Sequence, residues 1–248
     1  MREKERMKNA VFIDWDDTLG DWNSAAMAAQ RDVYQQFGIA AWGVDFERWF
    51  EVYHVHNGEL WHRYSHRGID KEGLMLDRFL HPICVAKGIA KEDGGEFGGL
   101  AMQMSDYFLE RTNAHFRLLP DARETVEYLA DKYALTVISN GFAEVQHYKL
   151  EASGLLPYIQ HVVLSDEVGV MKPDAGIFDI ALQMNRTELQ DLEKQDVVMI
   201  GDSWSSDIEG ARNAGIEAIW IGGASGEEHA LDENVQKVER LREVTGLL

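Results

Sequence analysis

Val11-Phe12-Ile13-Asp14-Trp15-Asp16-Asp17-Thr18-Leu19 is a short apolar run that ends abruptly in carboxylates. Such a run, flanked by turn-forming and polar residues, reads as a buried parallel strand, because a strand covered on both faces is apolar at successive positions. In open α/β sheets ligands bind just beyond the carboxyl ends of the strands. Asp14 and Asp16 therefore stand where a reaction would be run. Two carboxylates at i and i+2, with the strand unravelling between them, can face one crevice. One can be an ionised nucleophile and the other a proton carrier, provided their surroundings separate their pKa values.

Four more runs of the same kind follow: Leu135 to Ile138, His161 to Leu164, Val197 to Ile200 and Ala218 to Ile221. Most end directly in small or acidic polar residues, as at Ser139-Asn140-Gly141, Ser165-Asp166-Glu167 and Gly201-Asp202-Ser203. Helical patterns fill the gaps, at Asp121 to Tyr133, Glu144 to Ser153, Asp174 to Met184 (with Pro173 placed to start it) and Ser205 to Ala214. Alternating strands and helices predict a doubly wound parallel α/β core with right-handed crossovers. The first crossover breaks the rhythm. About a hundred residues separate Ile13 from Leu135, too many for a structureless loop in a compact domain. Capping and stop residues divide the interval into four helices: from Asn23 or Ser24 to Phe37, from Asp45 to Arg67, from Asp70 to about Lys87, and from about Phe97 to Asn113. The expected organisation is a core of residues 1–20 and 116–248, with an inserted all-helical cap over 21–115. A cap in that place excludes water and reads the substrate. The tail, Asp232 to Leu248, reads as a terminal helix.

With 248 residues, 45% of them apolar, the chain can bury a sizeable core without disulfide or metal staples. Its single cysteine, Cys84, sits in an apolar stretch and reads as a small core residue. The net charge of −19 argues against a nucleic-acid backbone as partner. It also repels anionic substrates at long range, so a phosphate site must carry its own local positive charge. The N-terminal run Met1 to Ala10 is of mixed charge, and the apolar segment behind it is too short for a signal peptide or a membrane span. A cytoplasmic protein with no membrane partner is the expectation; the oligomeric state is left open.

Three further signals accompany Asp14 and Asp16. At Ser139-Asn140-Gly141, a hydroxyl and accessible backbone N–H groups make a small anion-binding concavity. In Val168-Gly169-Val170-Met171-Lys172-Pro173-Asp174, Lys172 is fixed ahead of a helix, where its charge would hold a phosphate oxygen and keep a neighbouring carboxylate ionised. In Gly201-Asp202-Ser203-Trp204-Ser205-Ser206-Asp207, Asp202 sits at a strand mouth. Asp14 and Asp202 as side-chain ligands, with the backbone carbonyl of Asp16, would form an oxygen half-cage for Mg²⁺. Asp207 opens the next helix, where a carboxylate suits the helix dipole.

Taken in order, these motifs resemble the haloacid dehalogenase-like hydrolase superfamily along the whole chain. Asp14-Trp15-Asp16-Asp17-Thr18 is similar to its first motif, Ser139 to its second, Lys172 to its third, and Gly201-Asp202 with Asp207 to its fourth. Asp17 stands where glycine is commonest. Leu60-Trp61, Tyr64, Arg67-Gly68-Ile69, Ser139-Asn140-Gly141-Phe142 and Glu167 to Pro173 resemble the pyrimidine 5′-nucleotidase-like branch. The resemblance implies a Rossmann-like core, a C1-type cap, a Mg²⁺ cofactor and a small-molecule phosphate ester as substrate.

It also implies roles. Asp14 attacks phosphorus to give an aspartyl-phosphate, and Asp16 serves as acid and then base. Ser139, the Asn140 N–H and Lys172 bind the phosphoryl oxygens. Thr18 orients Asp16, and Asp207 holds Lys172 or a metal-bound water. In the cap, Trp61, Tyr64 and Arg67 are the expected specificity residues, stacking on a base or meeting a sugar. A sugar-phosphate or phosphoglycolate-type phosphatase is the nearest alternative. A 2-haloacid dehalogenase shares the nucleophile, but its halide leaving group needs neither Asp16 nor Mg²⁺. A catalytically inactive small-molecule-binding protein would commonly lack the nucleophile or the lysine, and both are present.

Overall fold

The computed structural model describes residues 8–222 and 229–248. Most of the charged N-terminal run, Met1 to Met7, lies outside them. From β1 (Ala10–Ile13) the chain passes into four helices, α1 (Trp22–Gln36), α2 (Phe46–Ser65), α3 (Lys71–Lys87) and α4 (Gly98–Ala114). It returns through α5 (Ala122–Ala130) to β2 (Ala134–Ser139). Then come α6 (Ala143–Ser153), β3 (His161–Leu164), α7 (Ser165–Val168), α8 (Ala175–Asn185) and β4 (Val197–Gly201). A π-helical turn, Trp204–Ile208, runs into α9 (Glu209–Ala214), followed by β5 (Glu217–Ile221) and β6 (Val235–Val238).

Among the described residues the strands form one parallel sheet in the order β3-β2-β1-β4-β5-β6. This is the doubly wound α/β fold that alternation predicts. β1 is buried at every position and is flanked by β2 and β4. The chain winds one way from β1 through β2 to β3, then crosses back to β4. The strand order reverses beside β1, and a crevice opens at such a switch point. The apolar side chains of β1, β2 and β4 pack with Ile177, Phe178, Ala181 and Ile208 in the core beneath the sheet.

The backbone divides into two compact units, residues 1–21 with 117–248 and residues 22–116. The second is wholly helical between its turns. Asp45 and Asp70 cap α2 and α3 by accepting from Arg48 N and Gly73 N, as their spacing predicts. Its core is aromatic. Phe108 is fully buried and packs against the rings of Trp22, Tyr53 and Phe79 at centroid distances of 6.2, 5.5 and 5.8 Å. No helix among the described residues is long and apolar enough to cross a membrane.

Several boundaries differ from expectation; α1, for one, begins at Trp22, so Asn23 and Ser24 lie within it rather than capping it. The tail is not a helix: it forms β6 and then a 3₁₀ turn, Leu241–Gly246. Val235, Val238, Leu241 and Val244 recur every third residue and are all buried, a spacing that suits a helix. The open edge of β5 supplies backbone partners along Val235–Val238 and wins. Pro173 lies outside α8, because Asp174 takes the N-cap position and accepts from Gly176 N. α2 stops at Ser65, so His66 and Arg67 form its terminal turn, with Arg67 in the left-handed region at φ 57°. The segment after β4 begins as a π turn rather than an α-helix.

Phe108→Ala should cost about 3–5 kcal/mol, the usual result of emptying an aromatic core position. Urea unfolding followed by tryptophan fluorescence measures it, and a loss below about 1 kcal/mol would mean that the helical unit repacks around the gap.

Candidate active site

The ladder between β1 and β4 continues one residue past β1, where Asp14 N donates to Ile200 O at 2.9 Å. That bond fixes the Asp14 backbone at the crevice. The residue is 7% exposed. Lys172, 1% exposed, reaches it from the loop between α7 and α8. Its ammonium donates to Asp14 Oδ1, to Ile138 O at 2.8 Å and to Asp207 Oδ1 at 2.6 Å. A lysine has three donors, and all are spent on protein oxygens. Lys172 thus pairs with neighbouring carboxylates, one of the two roles expected of it. Asn140 fixes the lysine from behind: its Nδ2 donates to Lys172 O at 2.8 Å and its Oδ1 accepts from Lys172 N at 2.9 Å. Gly201 must be glycine, since a methyl group there would collide with the Asp207 carboxylate.

Asp202 stands across the crevice on the loop after β4. Thr18, expected to orient Asp16, instead pairs with Asp202. Its hydroxyl donates to Asp202 Oδ1 at 3.2 Å and accepts from Asp202 N at 3.1 Å. The Trp220 indole donates to Asp202 O at 2.8 Å. Asp14, Asp202 and Asp207 each offer a carboxylate oxygen within 4.8 Å of the other two. Burial pushes the Asp14 pKa up; Lys172 opposes that, while Asp207 and Asp202 add to it. Burial, then Asp207 and Asp17, push Asp202 up to about 7. Burial works against the charge on Lys172, but Asp14 and Asp207 outweigh it and hold its pKa above the usual lysine value. Three buried or half-buried carboxylates thus share one ammonium. Hard oxygen donors with such an excess of negative charge fit a divalent cation of the Mg²⁺ type.

Asp16 has a different setting. Gln146 Nε2 donates to its Oδ2 at 2.7 Å and Lys149 Nζ to its Oδ1 at 2.7 Å. Both donors come from the inward face of α6, and both residues are 1% exposed. The same Gln146 amide donates to Ser139 Oγ at 3.0 Å, and Gly141 N donates to that oxygen at 3.1 Å. With both lone pairs taken, the Ser139 hydroxyl keeps its O–H for donating. Asp17 lies in the left-handed region at φ 60°. That is why glycine is common at this place in the motif, and Asp is among the residues that tolerate it.

The geometry therefore gathers Asp14, Asp16, Thr18, Ser139, Asn140, Lys172, Asp202 and Asp207 around one strand-end crevice. Residues 11–221 match the family model of the haloacid dehalogenase-like hydrolases. The chain belongs to that family. It is similar to the pyrimidine 5′-nucleotidase PynA of Streptococcus pneumoniae, with 29% identity over 85% of this chain and 82% of the relative. It is likewise similar to the pyrimidine 5′-nucleotidase YjjG of Escherichia coli, with 28% identity over 85% and 84%. Among solved structures, that of Bacillus subtilis YfnB bound to magnesium superposes with a TM-score of 0.80, covering 98% of this chain and 99% of that one at 19% identity. The protein is a hydrolase of this family, related to phosphatases and nucleotidases.

Trp61, Tyr64 and Arg67 belong to the helical unit. Trp61 and Tyr64 pack edge to face at 5.6 Å on the last turns of α2, and Arg67 is exposed just beyond. Sequence reasoning missed Gln146, Lys149 and Trp220. The signal for the first two was present: polar residues three apart on a helix that directly follows a site strand.

Lys172→Met leaves Asp14 and Asp207 buried without their cation and should destabilise the protein by about 3–5 kcal/mol at neutral pH. Without the lysine that opposes it, burial holds Asp14 higher when folded than when unfolded, so protonation favours the folded state. The deficit should shrink as the pH falls towards the unfolded carboxylate value of about 4. Denaturant midpoints of wild type and variant from pH 8 to pH 5 test this; a deficit that stays constant would contradict it.

Proposed function

We propose that this hydrolase is a Mg²⁺-dependent phosphatase acting through an aspartyl-phosphate on Asp14, with a pyrimidine nucleoside 5′-monophosphate as its substrate class. The observation that carries the reading is the contrast between two aspartates two residues apart. One is clamped by a buried lysine and faces further carboxylates; the other is held by α6. The similarity to PynA and YjjG supports the nucleotide class, and magnesium in YfnB supports the metal.

Asp14 Oδ2, the oxygen not bonded to Lys172, attacks phosphorus as the ester P–O bond breaks. Asp16 protonates the departing alkoxide, a contribution of about 10²–10⁴ in rate. Water then attacks the aspartyl-phosphate, Asp16 takes its proton, and inorganic phosphate leaves with Asp14 restored. The Ser139 O–H and the Asn140 N–H donate to the phosphoryl oxygens through both steps. Lys172 keeps Asp14 ionised and fixed in direction. Asp14, Asp202 and the Asp16 carbonyl would hold the metal, and Asp207 would steady it through Lys172. A bound Mg²⁺ supplies charge neutralisation between carboxylate and phosphate. In this reading the helical unit, by its place in the chain, is a cap domain, and Trp61, Tyr64 and Arg67 would be its base- and sugar-reading residues.

Asp14→Asn should lower Mg²⁺-dependent phosphate release from thymidine 5′-monophosphate by about 10³-fold or more; near wild-type release would end the proposal. Glyceraldehyde 3-phosphate and 2-chloropropionate serve as competing substrates, and faster turnover of either would reassign the substrate class. Mg²⁺ must displace a proton from Asp202 wherever the pH lies below its pKa of about 7. Apparent Mg²⁺ affinity should then fall by about tenfold per pH unit below neutrality and level off above it. Calorimetric Mg²⁺ titrations of the apoprotein between pH 5.5 and pH 8.5 check the slope.

A further inference from the structure

We infer that Gln146 and Lys149 are positioning residues for the acid–base aspartate Asp16, and that cleavage of esters with poor leaving groups depends on them. The inference rests on the phosphatase reading and adds two residues that lie outside the four motifs. Asp16 lies in the turn after β1, where its backbone bridges to Gly20. α6 supplies a donor to each of its carboxylate oxygens: Lys149 on Oδ1 and Gln146 on Oδ2, each at 2.7 Å. Two donors on two oxygens fix the plane of the carboxylate as well as its position.

The arrangement is built rather than incidental. Lys149 is 1% exposed, far more deeply buried than a surface ion pair, and Gln146 is buried to the same degree. The Gln146 amide spans Asp16 Oδ2 and Ser139 Oγ, joining the proton carrier to the residue that offers its hydroxyl to phosphate. Gly141 is shaped around it, since a Cβ at that position would overlap the Gln146 amide. A purely structural ion pair anchoring α6 would need neither the bridge to Ser139 nor the space left by Gly141.

General-acid assistance matters where the departing group is a poor one and falls away where it leaves readily without a proton. Thymidine 5′-monophosphate releases an alkoxide, while p-nitrophenyl phosphate releases a stable phenolate. The ratio of their kcat/KM values reports the phosphoryl-transfer step and compares two esters on one preparation, so partial unfolding scales both alike. Lys149→Met and Gln146→Leu should each lower the ratio of thymidine 5′-monophosphate to p-nitrophenyl phosphate by about 10–100-fold. Lys149→Arg, which keeps a donor and a charge, should restore the ratio to within about threefold. Gly141→Ala leaves both α6 side chains in the sequence and should lower the ratio in the same direction by displacing the amide. An equal fall on both esters, or an unchanged ratio, overturns the inference. Asp14→Asn separates the two levels. If it silences both esters, the phosphatase reading stands whatever the ratio does; if it does not, that reading fails and this one with it.

Discussion

One buried ammonium organises the reactive end of this molecule. Lys172 binds Asp14, Asp207 and the last carbonyl but one of β2 at once. It thereby ties together the ends of β1 and β2 and the turn after β4. Burying a charge is costly unless it is paired and its donors are satisfied. Here every donor is satisfied, and the backbone on either side of the peptide is clamped by Asn140. The acids around it feel the same constraint in reverse. Burial raises Asp14 and Asp202, and one cation does not neutralise three carboxylates. That excess of negative charge suits a divalent cation.

The two aspartates of the first motif show how identical side chains come to differ. Asp14 continues the β1–β4 ladder and is enclosed. Asp16, two residues on, has left the ladder and is half-exposed, with its charge balanced by Lys149 instead. The left-handed turn at Asp17 carries the chain away immediately afterwards. In the proposed reaction, such separation of environments lets one carboxyl attack while its neighbour moves a proton.

Much of this was legible beforehand, and for a definite reason. β1, β2 and β4 are covered on both faces, so their apolar runs and abrupt polar ends are visible without coordinates, and Asp14, Ser139 and Asp202 follow directly from them. Asp45 and Asp70 cap by a local bond three residues away, which spacing alone predicts. Partners separated by long intervals were not legible. Thr18 meets Asp202 rather than Asp16, and Gln146 and Lys149 meet Asp16 across about 130 residues of chain. Nothing local distinguishes Lys149 from a lysine on a solvated helix face.

The amino-acid order by itself determined the doubly wound sheet, the position of the helical insertion after β1, and the residues that stand at the strand ends, because strand burial, capping and chain reversal act over a few residues. Tertiary structure alone decided who pairs with whom. It turned the Lys172 donors towards Asp14 and Asp207, made the Ser139 hydroxyl a free donor, and laid the tail along β5 as a strand. Those outcomes depend on which distant backbone edge or buried charge is within reach, and that is fixed only when the sheet closes around β1.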